Sequence, residues 1–227
     1  MWFIMITAII AVAGEVSSGS LGAGAGTIVG TPEPVCGTLL FHSDGTYENG
    51  YCWQYGGVVD PDYGALAEGY EGVFEVCAAV FDLTTLTDPF RGMDVYLWAD
   101  DGGSPGLVHC LEVGADPGAI AMWPNVSRHP IEFADPRCTE EGWWIGYWGA
   151  WPDEPCHWFV GADLDGPGGS PMTKIGPGQG YPSGWQDVSI VWGPTQALGI
   201  GAEVQPCDPT PTRQTTWGGV KGLYRKP

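Results

Sequence analysis

The chain has 227 residues, and its 27 acidic side chains outnumber 8 basic ones to give a formal net charge of −19. Such an excess of carboxylates is repelled by nucleic-acid phosphates and anionic lipid headgroups, which argues against nucleic-acid and peripheral membrane binding. A hydrophobic content of 44% argues against a disordered acidic chain, and 37 Gly with 20 Pro leave little room for long helices.

The charge is unevenly distributed along the chain. Residues 14–212 hold 27 acidic and 4 basic side chains, a net charge of −23, whereas residues 213–227 hold four basic side chains and no acidic one. A body this acidic repels itself unless salt or bound cations screen it. Adaptation to salty surroundings and specific divalent-cation sites both explain such a composition.

The first 35 residues divide into two segments. Residues 1–13 form an uncharged apolar run that is too short to span a bilayer, and Ala11-Val-Ala13 ends it with a small-x-small pattern. This pattern predicts a signal peptide at 1–13 and a secreted or cell-surface protein without a membrane span in its mature form. A buried first strand is the alternative. Residues 14–35 are rich in Gly, Ser, Ala and Pro, which predicts a flexible linker.

Short apolar runs broken by Gly, Pro and Asp occupy residues 36–205. Val, Ile, Tyr, Phe and Trp are concentrated in these runs, as strands favour. The pattern predicts an all-β domain over 36–205, an antiparallel β-sandwich of jelly-roll type with about eleven short strands. The predicted strands are 36–42, 46–55, 73–83, 93–99, 107–113, 119–123, 131–134, 143–148, 157–162, 186–192 and 198–204.

The clearest local element is a hairpin over residues 93–110. Val95 and Leu97 alternate with polar or aromatic neighbours, and Asp101-Gly-Gly103 supplies a turn before the next strand. The Asp-Asp-Gly-Gly-x-Pro-Gly loop with its two strands resembles hairpins of secreted bacterial jelly-roll domains, mostly of unknown function. The resemblance extends loosely through 143–174, and Trp217-Gly-Gly-Val-Lys-Gly-Leu-Tyr-Arg-Lys resembles short tails that close some of these proteins. It implies an exported, non-catalytic surface or matrix module.

Residues 206–227 form a Pro/Thr spacer followed by a basic-aromatic tail. Trp217, Val220, Leu223 and Tyr224 have the spacing of one amphipathic turn, with the cations on its other side. Two interpretations remain open. Export or surface-attachment machinery recognises the tail, or the tail docks and its cations pair with the acidic body.

Seven cysteines in an exported chain predict disulfide bonds. A zinc site is disfavoured because no C-x-x-C spacing occurs. The preferred pairs are Cys36–Cys207, Cys77–Cys110 and Cys138–Cys156, which leave Cys52 free or available for a bond between molecules.

A Trp-rich stretch begins at Trp143. In an extended strand Trp143 and Tyr147 share one face, while Trp144 and Trp148 share the other. Aromatic rings outside a core, beside carboxylates, suit stacking on sugars, so a polysaccharide is the ligand that this stretch suggests. Packing in the core is the favoured interpretation of the same Trp residues. The candidate saccharide-binding residues are Trp148, Trp151, Trp158, Asp153 and Glu154.

Two pairs of carboxylates are candidate calcium ligands. Asp163 and Asp165 precede a Gly turn, and Asp100 and Asp101 lie in the hairpin loop. The favoured alternative is that these Asp residues start turns by bonding the backbone. Calcium is the one cofactor that the sequence suggests.

No motif predicts catalytic residues. Gly102-Gly-Ser104-Pro-Gly106 matches a nucleophile elbow in letters, but it lies between two strands and Pro105 lacks the N–H that an oxyanion hole needs. The sequence therefore predicts a protein without enzymatic activity. An extracellular carbohydrate-active enzyme on the same sandwich and a structural subunit of a surface assembly are the alternatives.

Overall fold

A computed structural model describes residues 17–22, 24–30, 32–54, 62–87, 92–149 and 158–207. Sixteen strands and one four-residue helix form this part of the chain. The strands are β1 Ser17–Ser20, β2 Gly26–Ile28, β3 Thr38–Leu40, β4 Thr46–Tyr47, β5 Asn49–Gln54, β6 Leu66–Glu71, β7 Glu75–Thr85, β8 Met93–Asp100, β9 Pro105–Ala115, β10 Asn125–Cys138, β11 Gly142–Trp148, β12 Trp158–Asp163, β13 Pro171–Ile175, β14 Gly184–Asp187, β15 Ala197–Leu198 and β16 Ile200–Gln205; the helix is α1 Ser189–Trp192.

The strands form two packed sheets, and this confirms the predicted all-β sandwich. The ten-stranded sheet has the order β1-β5-β12-β7-β10-β2-β4, with β15 on β12 and β16 between β7 and β3. The six-stranded sheet has the order β14-β13-β6-β11-β8-β9. Pairing is antiparallel throughout these strands except between β2 and β10. No helix in the described ranges has the length and apolar character needed to cross a membrane.

The main core lies between the sheets, where alternate residues of each strand point inward. Phe81 and Leu83 of β7 meet Ile145 and Tyr147 of β11, and all four are almost fully buried. The rings of Phe81 and Tyr147 meet edge to face, with centroids 5.5 Å apart. Burial of this apolar surface is the main force that holds the two sheets together.

Strands β1 and β2 lie within residues 14–35, where the sequence predicts a flexible linker. β1 pairs with β5, and β2 pairs with β10 and β4. A Cβ atom at Gly24 would lie 2.4 Å from the ring of Trp123, and one at Gly26 would lie 2.6 Å from it. The glycines therefore let the backbone lie directly on an indole ring. The predicted signal peptide at 1–13 and residues 208–227 of the tail lie outside the described residues.

Two disulfide bonds differ from the predicted pairs. Cys36 bonds Cys77, with Cα atoms 6.5 Å apart, and Cys138 bonds Cys207, with Cα atoms 5.8 Å apart. Glu75 at the start of β7 pairs with Cys138 on one side and with Gln205 on the other, so Cys138 and Cys207 meet around that strand.

The predicted pairs Cys36–Cys207, Cys77–Cys110 and Cys138–Cys156 are therefore wrong. Cys110 is a buried free thiol, and Cys52 is disulfide-bonded rather than unpaired. Cys156 lies outside the described residues. Spacing along the chain could not reveal the pairs because they are set by which strands lie side by side.

Candidate functional site

A layer of aromatic side chains covers the outer face of the six-stranded sheet. This outer aromatic layer consists of Tyr96, Trp98, Trp144, Trp148 and Trp185. Tyr96 and Trp98 stack with ring centroids 4.8 Å apart, and Trp185 meets the edge of Trp98 at 5.4 Å. Glycine permits the rings to lie flat on the sheet, since a Cβ atom at Gly69 would lie 2.9 Å from Trp144. Most of the layer is thus buried against the sheet and itself.

A groove of about 660 Å³ opens at one end of this layer. It lies where β6 and β14 end and where β11 and β13 begin, beside the β8–β9 hairpin. Its lining includes the glycines Gly69, Gly103, Gly142 and Gly169. The aromatic and polar side chains that line it are His42, Tyr70, Glu71, Asp100, Trp143, Trp144, Ser170 and Asp187.

One wall of the groove is a ladder of three rings. The centroids of His42 and Tyr70 are 4.3 Å apart, and those of Tyr70 and Trp143 are 4.9 Å apart. Trp143 is fixed by donating its Nε1–H to the carbonyl of Gly72 at 3.0 Å. Trp144 lies on the opposite face of β11 and donates its Nε1–H to Asp100 Oδ1 at 2.8 Å. Each indole in the groove therefore has a fixed orientation.

A buried carboxylate organises the end of the groove. Glu68 of β6 is fully buried, and its Oε2 accepts the N–H of Leu198 at 2.8 Å. Its Oε1 accepts the N–H of Ser170 and lies 3.3 Å from His42 Nδ1. Burial raises the pKa of Glu68, although these hydrogen bonds oppose the shift. Glu68 thereby joins two distant loops that contribute His42 and Ser170 to the groove.

The rim of the groove is acidic. Glu71 and Asp187 are exposed, and Asp100 accepts the N–H of Gly103 at 3.1 Å. No Lys or Arg is found among the described residues that line the groove. Carboxylates accept hydrogen bonds from hydroxyl groups, so this rim suits a ligand rich in hydroxyls.

The predicted saccharide platform is not formed as expected. Trp158 is fully buried in the main core, with its ring centroid 5.0 Å from that of Tyr147, so its assignment to an exposed platform is wrong and the core interpretation holds for it. Trp148 is half-buried and donates its Nε1–H to Tyr63 O at 3.0 Å. Trp151, Asp153 and Glu154 lie outside the described residues.

Asp163 and Asp165 do come together, and Glu48 joins them. Their nearest ligand oxygens lie within 4.8 Å of one another. Asp163 Oδ1 accepts the N–H groups of Asp165 at 3.1 Å and Gly166 at 2.6 Å, and its Oδ2 accepts that of Asp44 at 2.9 Å. The bonds to Asp165 and Gly166 are those of an Asp that begins a turn by accepting backbone N–H groups. Calcium binding by this group stays a prediction.

Asp100 and Asp101, the two hairpin carboxylates, make different contacts. Asp100 bonds Trp144 and Gly103, whereas Asp101 is exposed and its N–H closes the turn by donating to Ser104 O at 2.8 Å. Within the described ranges neither belongs to a group of three potential metal ligands.

Sequence reasoning missed His42, Tyr70, Glu71 and Ser170 as groove residues. Tyr70 and Glu71 belong to β6, which the strand pattern did not predict, and the other two come from loops. A weak signal was the Leu-Ala-Glu-Gly-Tyr-Glu run, in which a carboxylate occupies an inward position of a strand.

Comparison with known proteins adds no family to this description. No family model, curated protein or solved structure matches the chain. The resemblance to secreted bacterial jelly-roll domains therefore stays an expectation from the hairpin and the tail, and the groove carries the argument about function.

Proposed function

We propose that the protein is an exported, non-catalytic surface or matrix module that binds a saccharide in the groove beside Trp144. The observation that carries this proposal is one groove in which an acidic rim surrounds the partly exposed ring of His42 and the nearly buried rings of Tyr70, Trp143 and Trp144. Sugars offer C–H faces for stacking and hydroxyls for carboxylates. The groove volume of about 660 Å³ lies within the range of roughly 300–1,000 Å³ that small-molecule sites occupy.

The charge of the groove favours a neutral saccharide. Glu71, Asp100 and Asp187 line it and no described cation does. Uronic acids and sulfated sugars would meet like charge, which raises the cost of binding. Neutral hydroxyls instead donate to the carboxylates.

Two features support the non-catalytic and exported parts of the proposal. Glu68 has a raised pKa, but both of its carboxylate oxygens already bond His42, Ser170 or Leu198. A general acid needs an oxygen directed at the substrate. The disulfides Cys36–Cys77 and Cys138–Cys207 are typical of oxidising compartments outside the cytosol.

A glycan array followed by calorimetry on the binding glycan tests the proposal. Ser170→Trp places a large ring in the groove, and we expect it to weaken binding by tenfold or more. Glu71→Ala removes one charge-assisted acceptor, and we expect a loss of about tenfold. The matched control is Glu132→Ala, since Glu132 is also an exposed strand residue but lies in β10 of the other sheet.

The possible outcomes separate the functional classes. Silence of the folded wild-type protein on all glycans refutes saccharide binding. If Ser170→Trp and the wild type bind the glycan with equal affinity, the binding site lies outside the groove. Release of shortened chains from a polysaccharide establishes the enzyme alternative. The structural-subunit alternative has lost its proposed covalent link, because Cys52 is already disulfide-bonded.

A further inference from the structure

The edge strand β9 presents apolar side chains to solvent. It is the last strand of the six-stranded sheet and pairs with β8, and no described strand pairs with its other edge. Leu107 is 75% exposed, Val113 is 73% exposed and Leu111 is 43% exposed. An open strand edge with exposed apolar side chains is a template for another chain segment.

The chain leaves the described structure close to this strand. Ala134 of β10 donates its N–H to Glu112 Oε1 of β9 at 2.6 Å, and the Cys110 thiol lies 3.4 Å from the carbonyl of Asp135. β10 ends at Cys138, three residues after Asp135 and therefore roughly 10 Å from it at about 3.3 Å per residue. Cys138 bonds Cys207, so residue 208 begins within about 20 Å of the middle of β9.

Residues 208–227 are long enough to reach and cover β9. Twenty residues extend to about 66 Å, and the Asp-Pro-Thr-Pro stretch at 208–211 alone spans about 13 Å. Residues 212–226 contain no Pro, so each of them retains a backbone donor for strand pairing. These fifteen residues exceed the eleven of β9, and they include Trp217, Val220, Leu223 and Tyr224.

Charge complementarity favours this segment over a second copy of the chain. Residues 208–227 hold four basic side chains and one carboxylate, Asp208. Around β9, Asp94 bonds Gly114, Glu112 bonds Ala134, and Asp116 follows the strand; Asp135 pairs with Arg137 nearby. A second acidic body would be repelled there, whereas a cationic segment is attracted.

We propose that residues 208–227 dock along β9, covering Leu107, Leu111 and Val113 and placing their cations beside the surrounding carboxylates. The site is separate from the saccharide groove and does not depend on the proposed function. Tethering through Cys207 raises the effective concentration of the segment to the millimolar range, so modest contacts suffice.

Limited trypsin digestion of the full chain tests the proposal, because Arg213, Lys221 and Arg225 are cleavage sites within the segment. The Leu107→Ser/Val113→Ser variant changes only exposed side chains and leaves the core intact. We expect its segment to be cleaved at least fivefold faster than in wild type. The matched control, Val73→Ser/Leu86→Ser, alters two other exposed apolar residues and should behave as wild type.

Hydrogen exchange read by mass spectrometry gives the reciprocal measurement. Trp217→Ser/Leu223→Ser should raise deuterium uptake in 105–115 and leave that of the opposite edge strand, 184–187, unchanged. Equal cleavage rates together with equal exchange overturn the proposal. Protection that depends on protein concentration, with a doubled mass by light scattering, also overturns it and identifies a second copy as the occupant.

Discussion

The sharpest test of the fold is removal of Asp82, a fully buried carboxylate on β7. Arg128 donates from Nε to Asp82 Oδ1 at 2.7 Å and from Nη2 to Oδ2 at 2.6 Å, and Tyr47 donates its hydroxyl to Oδ2 at 2.5 Å. Burial, with the Asp82 charge, raises the pKa of Tyr47 well above its ordinary value, so the phenol keeps the proton it donates. Asp82→Ala leaves the Arg128 guanidinium without this acceptor, while the Tyr47 hydroxyl keeps its bond to Ser43 Oγ at 2.9 Å.

The expected loss is about 3–5 kcal/mol of unfolding free energy, the usual cost of leaving one partner of a buried ion pair alone. The Arg128 side chain is only 12% exposed, and its guanidinium lies 4.4 Å from the centroid of the Phe41 ring, so water cannot fully replace the carboxylate. An internal comparison exists in the Asp135–Arg137 pair, whose side chains are 74% and 56% exposed. Asp135→Ala should cost at most about 1 kcal/mol.

Urea-induced unfolding at pH 7, with disulfides intact, measures both values. Asp82→Ala/Arg128→Met/Tyr47→Phe should recover most of the loss, because it removes the donors along with the acceptor, and the Ser43 hydroxyl that loses its bond to Tyr47 is only half-buried. If Asp82→Ala costs no more than Asp135→Ala, Arg128 is effectively solvated and the reasoning is refuted. If the triple variant is no more stable than the single one, the carboxylate stabilises the fold by other means.

Two further predictions concern backbone packing and pH. A Cβ atom at Gly146 would lie 2.0 Å from the Leu66 carbonyl oxygen, so Gly146→Ala should lower the unfolding free energy by at least about 1–3 kcal/mol. A Cβ atom at Gly176 would lie 3.5 Å from its nearest neighbour, so the control Gly176→Ala should change the unfolding free energy by less than about 1 kcal/mol. Equal urea midpoints of the two variants would contradict this prediction. Burial lowers the pKa of His129 below 6.5, so its contribution to stability is fully present above 6.5 and is lost as pH falls through the lower folded value. Unfolding free energies at pH 7 and 5 should therefore decline less in His129→Gln than in wild type, and equal declines would show that His129 is not the titrating group.

Strands with a clear period of two could be predicted from the sequence. β8 and β11 alternate between the main core and the outer aromatic layer, and their predicted bounds lie within one residue of the observed ones. β6 escaped prediction because Glu68 occupies an inward position and Gly69 an outward one, which breaks the apolar pattern. Residues 186–192 were predicted as one strand, but the chain ends β14 at Asp187 and turns into α1 after Asp187 accepts the N–H of Ser189.

The candidate site depends on contacts that local patterns do not contain. Glu68 bonds Ser170 across 102 residues and Leu198 across 130, so the groove exists only once β6, β13 and β15 have assembled. Trp143 and Trp144 of the Trp-rich stretch line the groove, but neither was among the predicted saccharide-binding residues. The composition of the sequence indicated that aromatic and acidic residues would be available for a site. The strand topology determines which of those residues lie together in the groove.

The described Lys and Arg residues leave most of the excess negative charge unpaired. Arg128 pairs with Asp82, Arg137 with Asp135 and Lys174 with Asp62, so each described Lys and Arg already neutralises one carboxylate. The remaining carboxylates can be screened only by solvent cations, bound ions or residues outside the described ranges. Four of the chain's eight basic residues lie in 213–227. Docking of that segment on β9 would place half of the chain's basic residues near Asp94, Glu112 and Asp116, none of which pairs with a Lys or Arg of the described ranges.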